Sequence, residues 1–243
     1  MRTVWEAADL GVLIWRTKLF ALLALFSMPA ALVSVLLMAL FEASALPAFM
    51  REHQFASVLA VHWWLKPFYG RFALHVCAKA FFKQSVRPRA LFLELPNLLR
   101  ALPGDLLWRR FSPVRGVMLP LRVLEHCGKN YRLRRETLAR GGILSGAYIT
   151  VFCLALTIVL CAGMFLFLYA AEEMGARTLF LLEGLEWPAE ALIFALLSVN
   201  VILTETLYIA MSFALYINSR VITEGWDLQL EFHRLAELYE ASH

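Results

Sequence analysis

Glu205 sits inside the apolar run Ala189 to Tyr216, where a carboxylate is the most costly and most informative group in the chain. Insertion scales charge about 2.5–3.5 kcal/mol for a central Asp, Lys or Arg in a membrane-spanning helix, so Glu205 must be neutralised, paired or in contact with water. Ser198, Glu205 and Ser212 recur every seven residues, and Tyr208 follows Glu205 by about one turn. On a helix these residues form a polar stripe that should face other protein rather than lipid. Arg71, in the apolar and aromatic stretch Ser57 to Phe82, is the expected ion partner of Glu205, with Lys66 and His62 next in order. Two chemistries fit such a pair: a structural clasp between spans, or a station on a proton or ion route, as expected of a transporter or channel component. The spans hold no second acidic relay residue, which favours the clasp.

Other constellations are missing. The sequence has no H-E-x-x-H, no G-x-S-x-G, no paired Asp arrangement and no phosphate-cradling glycine loop, so no catalytic, cofactor-binding or metal residue is expected. A membrane-embedded enzyme without such a motif stands as the third reading. His53, His62, His75, His126 and His233 lack i, i+4 pairing with carboxylates and read as interfacial or packing residues. Cys77, Cys127, Cys153 and Cys161 form no C-x-x-C pair and read as small apolar packing residues.

The elements that must position Glu205 follow from composition. With 243 residues, 60% hydrophobic and 17% charged, and a mean hydropathy of +0.65, the chain is too apolar for an ordinary soluble domain and is no disordered segment. The expected fold is an all-α membrane protein of four transmembrane helices with interfacial amphipathic helices. Leu19 to Phe41 is a first span of 23 apolar residues, longer than the about 7–15 of a cleaved signal. Pro29 predicts a kink in it. Gly142 to Tyr169 and Ala189 to Tyr216 are two further spans of about 28 residues. Ser57 to Phe82 is ambiguous by hydropathy, because His62, Lys66, Arg71, His75 and Lys79 interrupt it and Pro67 and Gly70 predict a broken helix.

Charge bias decides that segment. With residues 1–18, 83–141 and 217–243 placed in the cytoplasm, 18 of the 23 Lys and Arg lie inside, and the external segments 42–56 and 170–188 hold only Arg51 and Arg177. Four crossings with both termini cytoplasmic follow. The expected organisation is an interfacial amphipathic helix over 1–18, a transmembrane hairpin over 19–82, a basic interfacial segment over 83–141, a second hairpin over 142–216 and an amphipathic cytoplasmic tail over 217–243.

The net charge of +4 is gathered between apolar stretches, which points to lipid headgroups and away from nucleic acid. Lys129, Arg132, Arg134 and Arg135, just before the third span, are expected to contact anionic lipid or to set topology. The Gly142-x-x-x-Gly146 spacing permits close helix approach in a homo-oligomer, or simply starts a helix.

Three groups of residues carry a family likeness: Trp64-Leu65-Lys66-Pro67-Phe68-Tyr69; Arg110-Phe111-Ser112-Pro113-Val114-Arg115 with Leu119-Pro120 and Leu124-Glu125; and Tyr216-Ile217-Asn218-Ser219-Arg220 leading to Glu224-Gly225-Trp226-Asp227. Together they resemble an uncharacterised family of bacterial inner-membrane proteins whose genes lie near those for transglutaminase-like membrane proteins and MoxR-type ATPases. The Arg220 to Asp227 run also resembles the tail of broader bacterial membrane-domain families. The likeness implies a multi-pass protein of the bacterial inner membrane with a cell-envelope role, and no catalytic residues. The leading expectation is therefore a non-enzymatic structural or accessory subunit, with membrane lipids and an unidentified membrane protein as partners.

Overall fold

The computed structural model describes residues 3–43, 47–84, 88–99, 101–125, 130–140, 145–173 and 189–225. Among them it is all-helical. The helices are α1 (Val4–Thr17), α2 (Leu19–Glu42), α3 (Ala48–Glu52), α4 (Gln54–Phe81), α5 (Pro88–Leu99), α6 (Leu102–Leu106), α7 (Arg115–Val123), α8 (Tyr131–Arg140), α9 (Gly146–Glu173) and α10 (Ala189–Glu224), with a 3-10 turn at Arg109–Phe111. Three of them, α2, α9 and α10, are long and apolar enough to cross a bilayer. The chain is thus a multi-pass membrane protein.

Hydropathy makes these three helices, and what surrounds them differs along their length. Along α2 and α9 large side chains such as Phe20, Leu32, Val151 and Leu166 are exposed, the surface of a helix solvated by hydrocarbon rather than by protein. α10 changes character at Thr204. From there to Ser219 nearly every residue is buried, including Thr204, Glu205, Thr206, Ser212, Asn218 and Ser219. Thr204, Thr206 and Ser219 satisfy their hydroxyls by donating to carbonyls one turn back, as Thr204 Oγ1 does to Asn200 O at 2.9 Å. At 36 residues α10 is about 54 Å long, far more than the about 30 Å of hydrocarbon it has to cross. Its second half continues beyond the start of α9 as the axis of a compact helical layer made with the C-terminal half of α4, α1, α7 and α8.

Several expectations are corrected by this layer. α10 runs unbroken past Tyr216, the expected end of the second hairpin, to Glu224. α4 is likewise continuous from Gln54 to Phe81, with Pro67 inside it, rather than interrupted at Lys66 to Gly70. Proline cannot donate to the carbonyl four residues back; that group, Trp63 O, accepts instead from Arg110 Nη2 at 3.1 Å. A donor from another helix therefore keeps the helix intact. α4 lies antiparallel beside α2, with Ser34 Oγ 2.8 Å from His62 Nε2 and the Phe26 and Tyr69 rings edge to face at 5.5 Å.

α1 begins with a reciprocal cap: Thr3 Oγ1 accepts from Glu6 N at 3.3 Å, and Glu6 Oε2 accepts from Thr3 N at 2.8 Å. Its inward face rests on protein rather than on lipid alone. Gly11 brings the α1 backbone against that of α10 so closely that a Cβ there would lie 2.4 Å from Met211 Cα, and Trp15 Nε1 donates to Thr206 Oγ1 at 3.0 Å. The helices of 88–140, expected as a basic interfacial segment, pack against α4 and α10. Exposed Leu107, Trp108 and Phe111 still give the α6 end of this layer an amphipathic, interfacial surface. The tail beyond Gly225, Gly142 and the loop 174–188 lie outside the described residues.

Candidate functional site

Thr150 in the second turn of α9 pairs with Tyr208 of α10, hydroxyl to hydroxyl at 3.0 Å. Glu205 is three residues from Tyr208, so it lies roughly 10 Å along from the start of α9 at 1.5 Å per residue, about a quarter of that helix's length. Its carboxylate is buried and held from two sides: Arg115 Nη2 at 2.9 Å and Lys66 Nζ at 3.4 Å. Arg115 belongs to α7 and Lys66 to α4, so one acid ties three helices together. Tyr208 completes the arrangement. Its hydroxyl accepts from Gly116 N at 2.9 Å, and the Arg115 guanidinium lies over its ring at 5.2 Å. The Glu205 carboxylate holds the Arg115 guanidinium above its ordinary pKa.

Arg71 is not the partner of Glu205. It lies five residues beyond Lys66, which turns it by about 140° to another face of α4. There the fully buried guanidinium meets Asp105 of α6, Nη2 to Oδ2 at 2.5 Å, and Nη1 donates to Leu98 O. Asp105 also receives Arg122 Nη2 at 3.0 Å and Arg109 Nη1 at 3.7 Å. The two carboxylates thus make two neighbouring clusters. A small cavity joins them, lined by Lys66, Arg109, Arg110, Arg115, Arg122, Asp105, Glu205 and Tyr208 among others.

The other residues of the expected site are distributed. His62 bridges Ser34 and Tyr69, with Nδ1 2.9 Å from the Tyr69 hydroxyl. Ser198 donates to its own helix at Phe194 O and lines an adjoining apolar groove of about 680 Å³ between α2, α4, α9 and α10. Ser212 is buried where α7 crosses α10: a Cβ on Gly116 would lie 2.3 Å from Ser212 Oγ and 2.7 Å from the Tyr208 hydroxyl. Close backbone approach at Gly116 is thus what allows Tyr208 to be gripped. Ser198, Glu205 and Ser212 of the seven-residue stripe thus serve three different contacts.

The expected anionic-lipid tract is divided too. Arg134 is engaged by two acids, Nε to Glu125 Oε2 at 2.5 Å and Nη1 to Glu224 Oε1 at 2.6 Å. Arg220 joins the same group through Glu224 at 3.0 Å, and the Tyr216 hydroxyl donates to Glu125. Burial alone would push the Glu125 carboxyl up, but hydrogen bonds from Arg134 and Tyr216 hold it below the usual carboxylate range. Arg132 pairs on the surface with Glu136 at 3.2 Å, Arg135 is exposed, and Lys129 lies outside the described residues.

Sequence reasoning missed Asp105, Arg109, Arg110, Arg115 and Arg122 as site residues. Two signals pointed to them. Only four acids, Glu94, Asp105, Glu125 and Glu136, stand among the thirteen cations of 83–141, and each has an ion-pair partner: Glu94, for example, takes His75 at 3.0 Å and Lys79 at 3.1 Å. Pro67 also announces a carbonyl at Trp63 in need of a donor. Comparison with protein-family models, curated proteins and solved structures finds no match for this chain.

Proposed function

We propose that this chain is a four-crossing protein of the bacterial inner membrane, both termini in the cytoplasm, acting as a non-enzymatic structural or accessory subunit of a cell-envelope complex. The observation that carries the reading is the use to which its buried charges are put. Glu205 and Asp105 each bind cations from other helices, joining α10 to α4 and α7, and α6 to α4 and α7. Such an arrangement fixes helices in register; a transport relay would need a continuous succession of exchangeable acids.

The geometry of α4 supports the fourth crossing. At 28 residues it is about 42 Å long, it runs antiparallel beside α2, and its three interior cations Lys66, Arg71 and Lys79 all have carboxylate partners. The family likeness supports the envelope setting: Lys66 from its first segment, and Arg110 and Arg115 from its second, meet around one cavity. The test is crosslinking in intact bacterial membranes followed by purification in mild detergent, with reporter fusions near Pro47, Trp108 and Gly175. We expect fusions at Pro47 and Gly175 outside, Trp108 inside, and a defined heteromeric complex. A lone monomer across several detergents and crosslinkers would overturn the accessory role, and Trp108 outside would overturn the topology.

A further inference from the structure

The cavity between the two carboxylates has more positive charge than its pairs consume. Lys66, Arg109, Arg110, Arg115 and Arg122 line it against Asp105 and Glu205, and Arg71 stands behind Asp105. Packing that many cations together is unfavourable unless an anion joins them. Two buried guanidinium nitrogens, Arg110 Nη1 and Arg122 Nε, make no hydrogen bond within the described residues, and a buried N–H without an acceptor is costly. Arginine side chains are suited to binding the oxygens of a phosphate group.

A second feature adjoins the first. The apolar groove between α2, α4, α9 and α10, about 680 Å³, lies within the about 300–1,000 Å³ of small-molecule sites. Lys66 lines both the groove and the basic cavity. Trp63 lines the groove and stacks under Arg110, whose guanidinium carbon is 3.8 Å from its ring centroid. An apolar groove whose lining includes Lys66 and Trp63, and which shares Lys66 with the basic cavity, is complementary to a molecule with a hydrocarbon tail and an anionic head.

We infer that the groove and the basic cavity together form one binding site for an anionic phospholipid of the inner leaflet, with its phosphate among Lys66, Arg109, Arg110 and Arg122 and an acyl chain between α2, α4, α9 and α10. The inference rests on the bilayer placement proposed above but not on the accessory-subunit role, and its test uses the purified full-length protein, which does not depend on any partner. The order of contacts explains why Trp63 and Trp64 are half-exposed beside Arg110: indoles prefer the headgroup level, where a phosphate would lie.

The experiment is a titration of the detergent-purified protein with dioleoyl-phosphatidylglycerol, read by thermal stability and by native mass spectrometry. Dioleoyl-phosphatidylcholine and inorganic phosphate are the comparison arms. We expect phosphatidylglycerol to raise the unfolding temperature and to stay bound, and the other two to do neither. Arg109→Gln should weaken binding about fivefold by removing one cation near the headgroup. Arg110→Gln should do the same but also disturbs the Trp63 carbonyl, so Arg109→Gln is the cleaner variant. Ala31→Trp, which fills the groove from its exposed wall, should abolish binding while leaving the basic cavity intact. Equal stabilisation by phosphatidylcholine would overturn the role of the cations. Equal stabilisation by inorganic phosphate, with Ala31→Trp silent, would overturn the lipid and leave a free-phosphate site.

Discussion

Replacing Asp105 by asparagine removes the carboxylate that, among the described residues, pairs with Arg71, a guanidinium with no exposed surface. The pair is close, 2.5 Å, and the same acid receives Arg122 at 3.0 Å. Breaking a buried ion pair from one side leaves a desolvated charge uncompensated and costs about 3–5 kcal/mol. Against a typical stability of about 5–15 kcal/mol this is a large fraction. In a chain of this size about 2–4 °C accompanies each kcal/mol, so Asp105→Asn should lower the unfolding temperature by roughly 6–20 °C. Thermal unfolding of the detergent-purified protein, followed by far-UV circular dichroism, measures it. A double-mutant cycle then identifies the partner. Arg71→Met and Asp105→Asn should couple by about 0.5–3 kcal/mol, as contacting residues do, while Arg71→Met and Glu205→Gln should add within about 0.3–0.5 kcal/mol. An Asp105→Asn protein that melts with the parent, or an Arg71 that couples more strongly to Glu205 than to Asp105, would refute the reasoning.

Two further outcomes follow from neighbouring contacts. Gly116→Ala should destabilise by about 1–3 kcal/mol through overpacking against Ser212 Oγ and the Tyr208 ring; in the same melting assay Ser212→Ala should restore only part of the loss, because the tyrosine remains. Glu125 has a folded pKa below its unfolded value, so its contribution is complete above the ordinary carboxylate value of about 4.3 and is lost as pH falls through the lower folded one. Glu125→Gln should therefore start less stable at neutral pH and show a shallower loss in acid; parallel acid limbs for the two proteins would contradict the assignment.

The sequence made some of this architecture visible and hid the rest for physical reasons. α2, α9 and α10 were legible because lipid-solvated helices need uninterrupted apolar surface, and hydropathy reads that directly. The cost of a carboxylate at Glu205 was legible for the same reason. Its partner was not, since Lys66 and Arg71 are both cations of one helix and only the packing of α4 decides which face meets α10. The helices of 88–140 were the least legible. Their apolar residues are short runs interrupted by Pro96, Pro103, Pro113 and Pro120, which read as separate surface pieces; their order comes from tertiary contacts with α4 and α10. Arg134 looked like a free cation for lipid because its acids, Glu125 and Glu224, are nine and ninety residues away.

Because α10 touches α1, α2, α4, α7, α8 and α9, assembly has to wait for it. Arg115 leaves the ribosome ninety residues ahead of Glu205, an interval of about 5–18 s at ordinary rates of synthesis. Throughout that interval Lys66 and Arg115 lack the acid that binds them, and α1 lacks its main packing partner. Acquisition of the packed state therefore cannot precede the synthesis of α10.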